Sequence, residues 1–299
     1  MGRDPEAWPA LPLEAWKDTR DTLHMWTQII GKIRMKLTPH VNHWWEVPLY
    51  VTSRGLTTTP IPSGGRTFDA TFDFIDHTLI FQTSDGRTES IPLRPRSVAD
   101  FYHDVMATLR GLEIDVRIWT MPSEVQAPIR FEDDRLHASY DADYAHRHWR
   151  ILLEADTILK EFRARFIGKA SPVHFFWGGF DLAVTRFSGR RAPVREGADS
   201  ITREGYSHEL SSCGFWAGSG SLTAAAFYAY AAPEPPGFAD TRMRPAQASY
   251  NKEFSIFVLM YDDVRSAADP RTMLLEFLQS TYEAAATLGR WDRANLEPA

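Results

Sequence analysis

The stretch that decides the fold is Phe68-Asp-Ala-Thr-Phe-Asp-Phe-Ile75, followed by Leu79 to Thr83, Ser84-Asp85-Gly86-Arg87 and Thr88 to Leu93. Phe68, Ala70, Phe72 and Phe74 alternate with Asp69, Thr71 and Asp73, the period of two that puts apolar side chains on one face of a strand and polar ones on the other. Asp85-Gly86 is a turn signal, so the runs on either side pair as a hairpin and the segment reads as an antiparallel meander. Directly beyond it the period lengthens. Val98, Phe101, Tyr102, Val105, Met106, Leu109 and Leu112 form a helical stripe, opened by Ser97 with Asp100 three residues on and closed by Gly111. Antiparallel strands that give way to an amphipathic helix predict an α+β fold, with helices packed on antiparallel sheets.

The same two patterns recur outward from this stretch. Asp269 as N-cap, Pro270 at the first helical position and a stripe through Leu274, Phe277, Leu278 and Tyr282 predict a C-terminal helix that stops at Gly289. Trp149, Leu152, Leu159 and Phe162 mark a helix over about 141–168, and Trp16, Leu23, Trp26 and Ile30 mark one near the start. Phe175 to Phe187, Tyr206 to Trp216, Ala224 to Tyr230 and Phe254 to Tyr261 read as strands, with Gly178-Gly179 as an irregularity inside the first. Each half then runs helix, strands, helix, with His43-Trp44-Trp45 opening a strand in one and His174-Phe175-Phe176 in the other. This pattern suggests two related α-β(n)-α halves from an internal duplication, 1–125 and 126–299, joined where Pro122, Pro128 and Glu132-Asp133-Asp134 break both periods; one compact domain is the alternative.

With 299 residues, 43% of them hydrophobic, the chain can bury a large core, and its net charge of −6 gives no attraction to nucleic acid or to anionic membrane surfaces. The single cysteine, Cys213, excludes an internal disulfide framework and fits a reducing compartment. The acidic, proline-broken first residues do not read as a signal peptide, and the longest apolar runs are too short to span a bilayer, so the expectation is a cytoplasmic protein. There is no P-loop, GxGxxG, GxSxG or HExxH motif, which leaves ATP, nicotinamide and hydrolase readings without their usual support.

What remains is histidine, tyrosine and arginine. His40, His43 and Glu46 stand at three-residue spacings, donors suited to zinc or non-haem iron on a helix, although the flanking prolines favour a loop leading into a strand. His174 opens the aromatic block, in which Arg186, if it faces inward, needs a carboxylate or a bound anion. Tyr206 and His208 share one face of the next strand, with Glu209 and Cys213 on the other. The arginines from Arg186 to Arg195 are suited to an anionic substrate or phosphate, while Ser188 to Gly205 reads as a mobile surface loop.

Asn42 to Trp45, Leu93 to Tyr102, Pro172 to Arg190 and Ser211 to Trp216 resemble segments of a bacterial family catalogued only as a domain of unknown function. The resemblance implies membership and nothing about activity. The residues themselves support three expectations. The first is a metal-dependent enzyme acting on a small molecule, an oxidoreductase by preference, with His43, His174, His208 and Glu209 holding iron, copper or zinc between the halves and Arg186 and Tyr206 as catalytic groups; haem is a variant. The second is a non-catalytic protein that binds an anionic or aromatic ligand, and the third is a scaffold.

Overall fold

In the computed structural model, which describes residues 7–220 and 222–298, seven helices and two sheets are formed. The helices are α1 (Leu13–Leu37), α2 (Val98–Gly111), α3 (Ala142–Ala164), α4 (Ser200–Gly205), α5 (Tyr261–Ser266), α6 (Pro270–Leu288) and α7 (Arg293–Leu296). The capping chemistry is as the sequence predicts: Ser97 Oγ accepts the Asp100 amide at the head of α2, and the Asp269 carboxylate accepts the Thr272 amide at the head of α6. Among the described residues, no helix is long and apolar enough to cross a membrane.

The first sheet comprises β1 (Tyr50–Val51), β2 (Gly55–Thr57), β3 (Ile61–Ser63), β4 (Arg66–Asp73), β5 (Thr78–Thr83) and β6 (Thr88–Pro92), in the order β1-β2-β4-β5-β6 with β3 also on β4. The antiparallel meander is present, with Phe68 opposite Thr83 and Phe72 opposite Leu79. The second sheet comprises β7 (His174–Phe176), β8 (Asp181–Arg191), β9 (His208–Trp216), β10 (Ala226–Ala232), β11 (Ser249–Asn251) and β12 (Ile256–Met260), in the order β11-β12-β10-β9-β8-β7. Every pairing in both sheets is antiparallel, which makes the protein α+β. Leu49 and Phe175 exchange two backbone hydrogen bonds of 2.9 Å and so tie the sheets together. One apolar cluster runs through both, and α3 and α6 cover the face of the second sheet that carries Val184, Cys213 and Phe227.

Three details differ from the sequence reading, and each repositions a candidate residue. His43 does not open a strand. It lies in a 3-10 turn, Asn42–Trp44, where both His43 (φ 63°) and Trp44 (φ 61°) are left-handed, so the equivalence with His174, which does begin β7, is not realised. Gly178-Gly179 is no mid-strand irregularity but part of the tight turn from β7 to β8. An added Cβ at Gly178 would stand 2.3 Å from Glu124 Oε1, and one at Gly179 would stand 2.7 Å from Asp181 Oδ1, so a side chain there would push these two carboxylates aside. Thirdly, within Ser188 to Gly205 six residues form α4, whose Asp199 N-cap accepts the Thr202 amide. Each half has six strands, but α4 interrupts those of the second, which ends in α5, α6 and α7, and the strand orders are different.

Candidate functional site

Pro39 prevents α1 from continuing, and the chain turns back on itself through residues that satisfy one another. Glu46, 3% exposed, accepts the Val41 amide at 3.0 Å and His40 Nδ1 at 2.9 Å, while the buried Arg34 donates to the Glu46 carbonyl. His40 Nε2 reaches across to Glu204 of α4 at 3.0 Å, and Glu204 also accepts the His43 amide at 3.1 Å. The two carboxylates raise the His40 pKa, so that His40, when protonated, clasps α4 to the turn as a cation between two anions. The His40, His43 and Glu46 set thus divides: His40 and Glu46 hold the turn, and His43 faces elsewhere.

His43 faces a surface cleft of about 570 Å³ between the turn, the end of β8 and α4, lined by Asn42, His43, Arg191, Ser200, Arg203, Glu204, Ser207 and His208. Its Nδ1–H donates to the Gly205 carbonyl at 3.3 Å, leaving Nε2 to accept from Lys169 Nζ at 2.8 Å. Burial first, and then the Lys169 cation, lower its pKa, so it is a neutral imidazole at pH 7. The His208 ring stands 5.6 Å from that of His43, and its pKa is lowered by burial and by the Arg191 and Lys169 cations. Arg191 is the cross-strand partner of His208, beyond an irregularity in the β8–β9 register. Among the described residues, neither Arg191 nor Arg203 has a carboxylate partner, and the single acid of the lining, Glu204, is already engaged.

The other expected site residues are distributed differently. Tyr206 caps α4 beside the cleft, but its hydroxyl is shared with Tyr230 at 3.0 Å and its ring is covered by Arg195. Glu209 is held by Arg190 at 2.6 Å and by Ser188 at 2.9 Å, outside the cleft lining. His174 is 0% exposed, with neither ring nitrogen hydrogen-bonded to any described residue. It packs on Tyr50 and on Trp45, the ring that also stacks on His43, and burial lowers its pKa to about 3. Arg186 does not share a face with His174, because β7 and β8 pair through Ala183 and Arg186 lies three residues on. Among the described residues its guanidinium forms no ion pair with an acid. It is 1% exposed, stacked 3.5 Å from the Phe162 ring centre and 4.3 Å from that of Tyr282, and donates to the Phe162 carbonyl. The Cys213 thiol is buried and its pKa is pushed up to about 12, which leaves it protonated and inert.

Among the described residues, no three His, Cys, Asp or Glu side chains are grouped to hold a metal ion. Lys169, Arg203 and Glu204 were not singled out from sequence, and no spacing marks them. Only the run of arginines from Arg186 to Arg195, which includes Arg191, gave a signal. A family model described as a family of unknown function (DUF5996) matches residues 8–298. No curated protein and no solved structure matches the chain.

Proposed function

The chain belongs to that family of unknown function (DUF5996), and we propose from the chemistry of the cleft that it binds a small anionic molecule between the 42–44 turn and α4. The observation that carries this reading is that Arg191 and Arg203, exposed and without a carboxylate partner among the described residues, line a cleft of about 570 Å³ together with the His43 and His208 imidazoles. That volume suits a small metabolite. A guanidinium fork matches a carboxylate or phosphate, and each ring nitrogen of a neutral imidazole either donates or accepts a hydrogen bond. Calorimetric titration with phenyl phosphate and inorganic phosphate tests the reading. Saturable binding that weakens at least about tenfold in Arg203→Ala supports it; equal, weak binding by both proteins refutes it.

A metal-dependent oxidoreductase is the second reading, favoured by the 5.6 Å approach of the His43 and His208 rings. Against it, the lone pair a metal would need on His43 Nε2 is taken by the Lys169 ammonium, which the metal would have to displace. Elemental analysis of untagged protein, with and without reconstitution by iron, copper and zinc, decides it. Stoichiometric metal that disappears in His43→Ala would favour it, and metal-free protein after reconstitution would end it.

A further inference from the structure

The six lysines of the chain are not in equivalent surroundings. Lys17 and Lys160 form helical ion pairs with Asp21 and Asp156, Lys32 donates to Ser123 Oγ, and Lys36, Lys252 and Lys169 all lie exposed. Lys169, in the segment leading into β7, instead directs its nitrogen at an imidazole lone pair, His43 Nε2 at 2.8 Å. It stands over the faces of Trp45 and Phe187, 5.3 and 5.4 Å from their centres. Among the described residues it has no carboxylate partner. Lys169 does not itself line the cleft, but the His43 it contacts does, together with His208, Arg191 and Arg203.

We propose that Lys169 is a carbonyl-capturing amine, forming an imine with an aldehyde or ketone whose anionic group is held by Arg191 and Arg203. This rests on the anion-binding reading of the cleft and names the substrate class for it. Partial desolvation lowers the Lys169 pKa, as it does that of Lys32, which makes the neutral amine more available than in a fully solvated lysine. In the step, the Lys169 ammonium gives a proton to His43 Nε2 and the freed nitrogen lone pair attacks the carbonyl carbon; His43 passes that proton to the carbonyl oxygen and takes a second one from the nitrogen, giving a neutral carbinolamine. The hydroxyl leaves with the proton from His43 as water while the nitrogen lone pair forms the C=N bond, so the product is the protonated imine and no proton is gained or lost overall. One water is released per imine, no oxidant or reductant is needed, and hydrolysis is the same step reversed. The contact at 2.8 Å places His43 where it can take and return the proton.

The test uses the full chain and pyridoxal 5′-phosphate as a probe, an aldehyde carrying a phosphate. Imines are fixed with borohydride at pH 7 and counted at each lysine by peptide mass spectrometry. The expected result is labelling of Lys169 at least about tenfold faster than of Lys36 and Lys252, competed by inorganic phosphate. In His43→Gln, checked for folding by circular dichroism, labelling of Lys169 should slow while the two reference lysines keep their rates. Labelling of Lys169 at the rate of Lys36 and Lys252, with phosphate still bound by calorimetry, would overturn the amine and leave the anion site standing. Loss of both phosphate binding and selective labelling would overturn both.

Discussion

In the turn after α1, His43 has a left-handed backbone, one ring nitrogen on a carbonyl, the other on an ammonium, and an edge open to a cleft. In β7, His174 is in an extended strand, is closed off from solvent and is paired with nothing among the described residues. Both are followed by two aromatic residues, and Trp45 touches both rings. The difference teaches that burial without partners silences an imidazole, whereas a half-open one gains its chemistry from the cations placed around it.

The comparison is broken most forcefully at the strand. Phe175 is 0% exposed and its backbone joins the two sheets, so Phe175→Ala should cost about 3–5 kcal/mol in urea denaturation. A loss below about 1 kcal/mol would mean that β7 is no structural seam. At the turn, Arg203→Ala should weaken phenyl phosphate binding by about ten- to a hundredfold with an unchanged unfolding midpoint. His174→Phe sharpens the contrast further. Because no hydrogen bond is lost, stability should stay level or rise by about 1 kcal/mol and ligand affinity should not change. A loss of more than about 2 kcal/mol would reveal a partner for the imidazole.

The pH dependence gives the smallest effect, and its direction is fixed. The His43 and His208 pKa values lie below 6.5, so both are neutral at pH 7 and become cations as the pH falls through their lowered values. His40 has a raised pKa. Its ion pairs with Glu46 and Glu204 are complete below 6.5 and are lost as the pH climbs through that raised value. Both effects make sulfate, a dianion throughout this range, bind more tightly on the acid side. His40→Gln should remove the alkaline limb of the titration and spare the acid one, and an unaltered profile would dissociate the clasp from binding.

How far the sequence reaches depends on the range of the interactions. Ser97, Asp269-Pro270 and Asp85-Gly86 act on neighbours three or four residues away, so α2, α6 and the β5–β6 hairpin were legible. The left-handed pair His43-Trp44 was not, because what holds it, Glu46 below and Glu204 from α4, lies partly 160 residues away and aromatic content imitates a strand. Phe180, left-handed at φ 55°, concealed the turn at Gly178-Gly179 for the same reason. Histidines His43 and His208 of the cleft could be named beforehand, as could the arginine stretch containing Arg191. Lys169 and Arg203 could not, since a single cation carries no local pattern. Arg186 met aromatic rings and a carbonyl where an acid was expected, an arrangement that only α3 and α6 packed on β8 and β9 can supply.

The central claim is that the cleft histidines, and not His174, respond to an anion. Histidine-selective NMR titration with and without saturating sulfate reads this directly, with His43→Gln, His174→Phe and His208→Gln assigning the signals. The expected result is that the pKa values of His43 and His208 both rise on sulfate binding, because an adjacent anion favours the imidazolium, while the His174 signal neither shifts nor titrates. Signals of His43 and His208 that ignore sulfate, or a His174 signal that follows it, would contradict the claim.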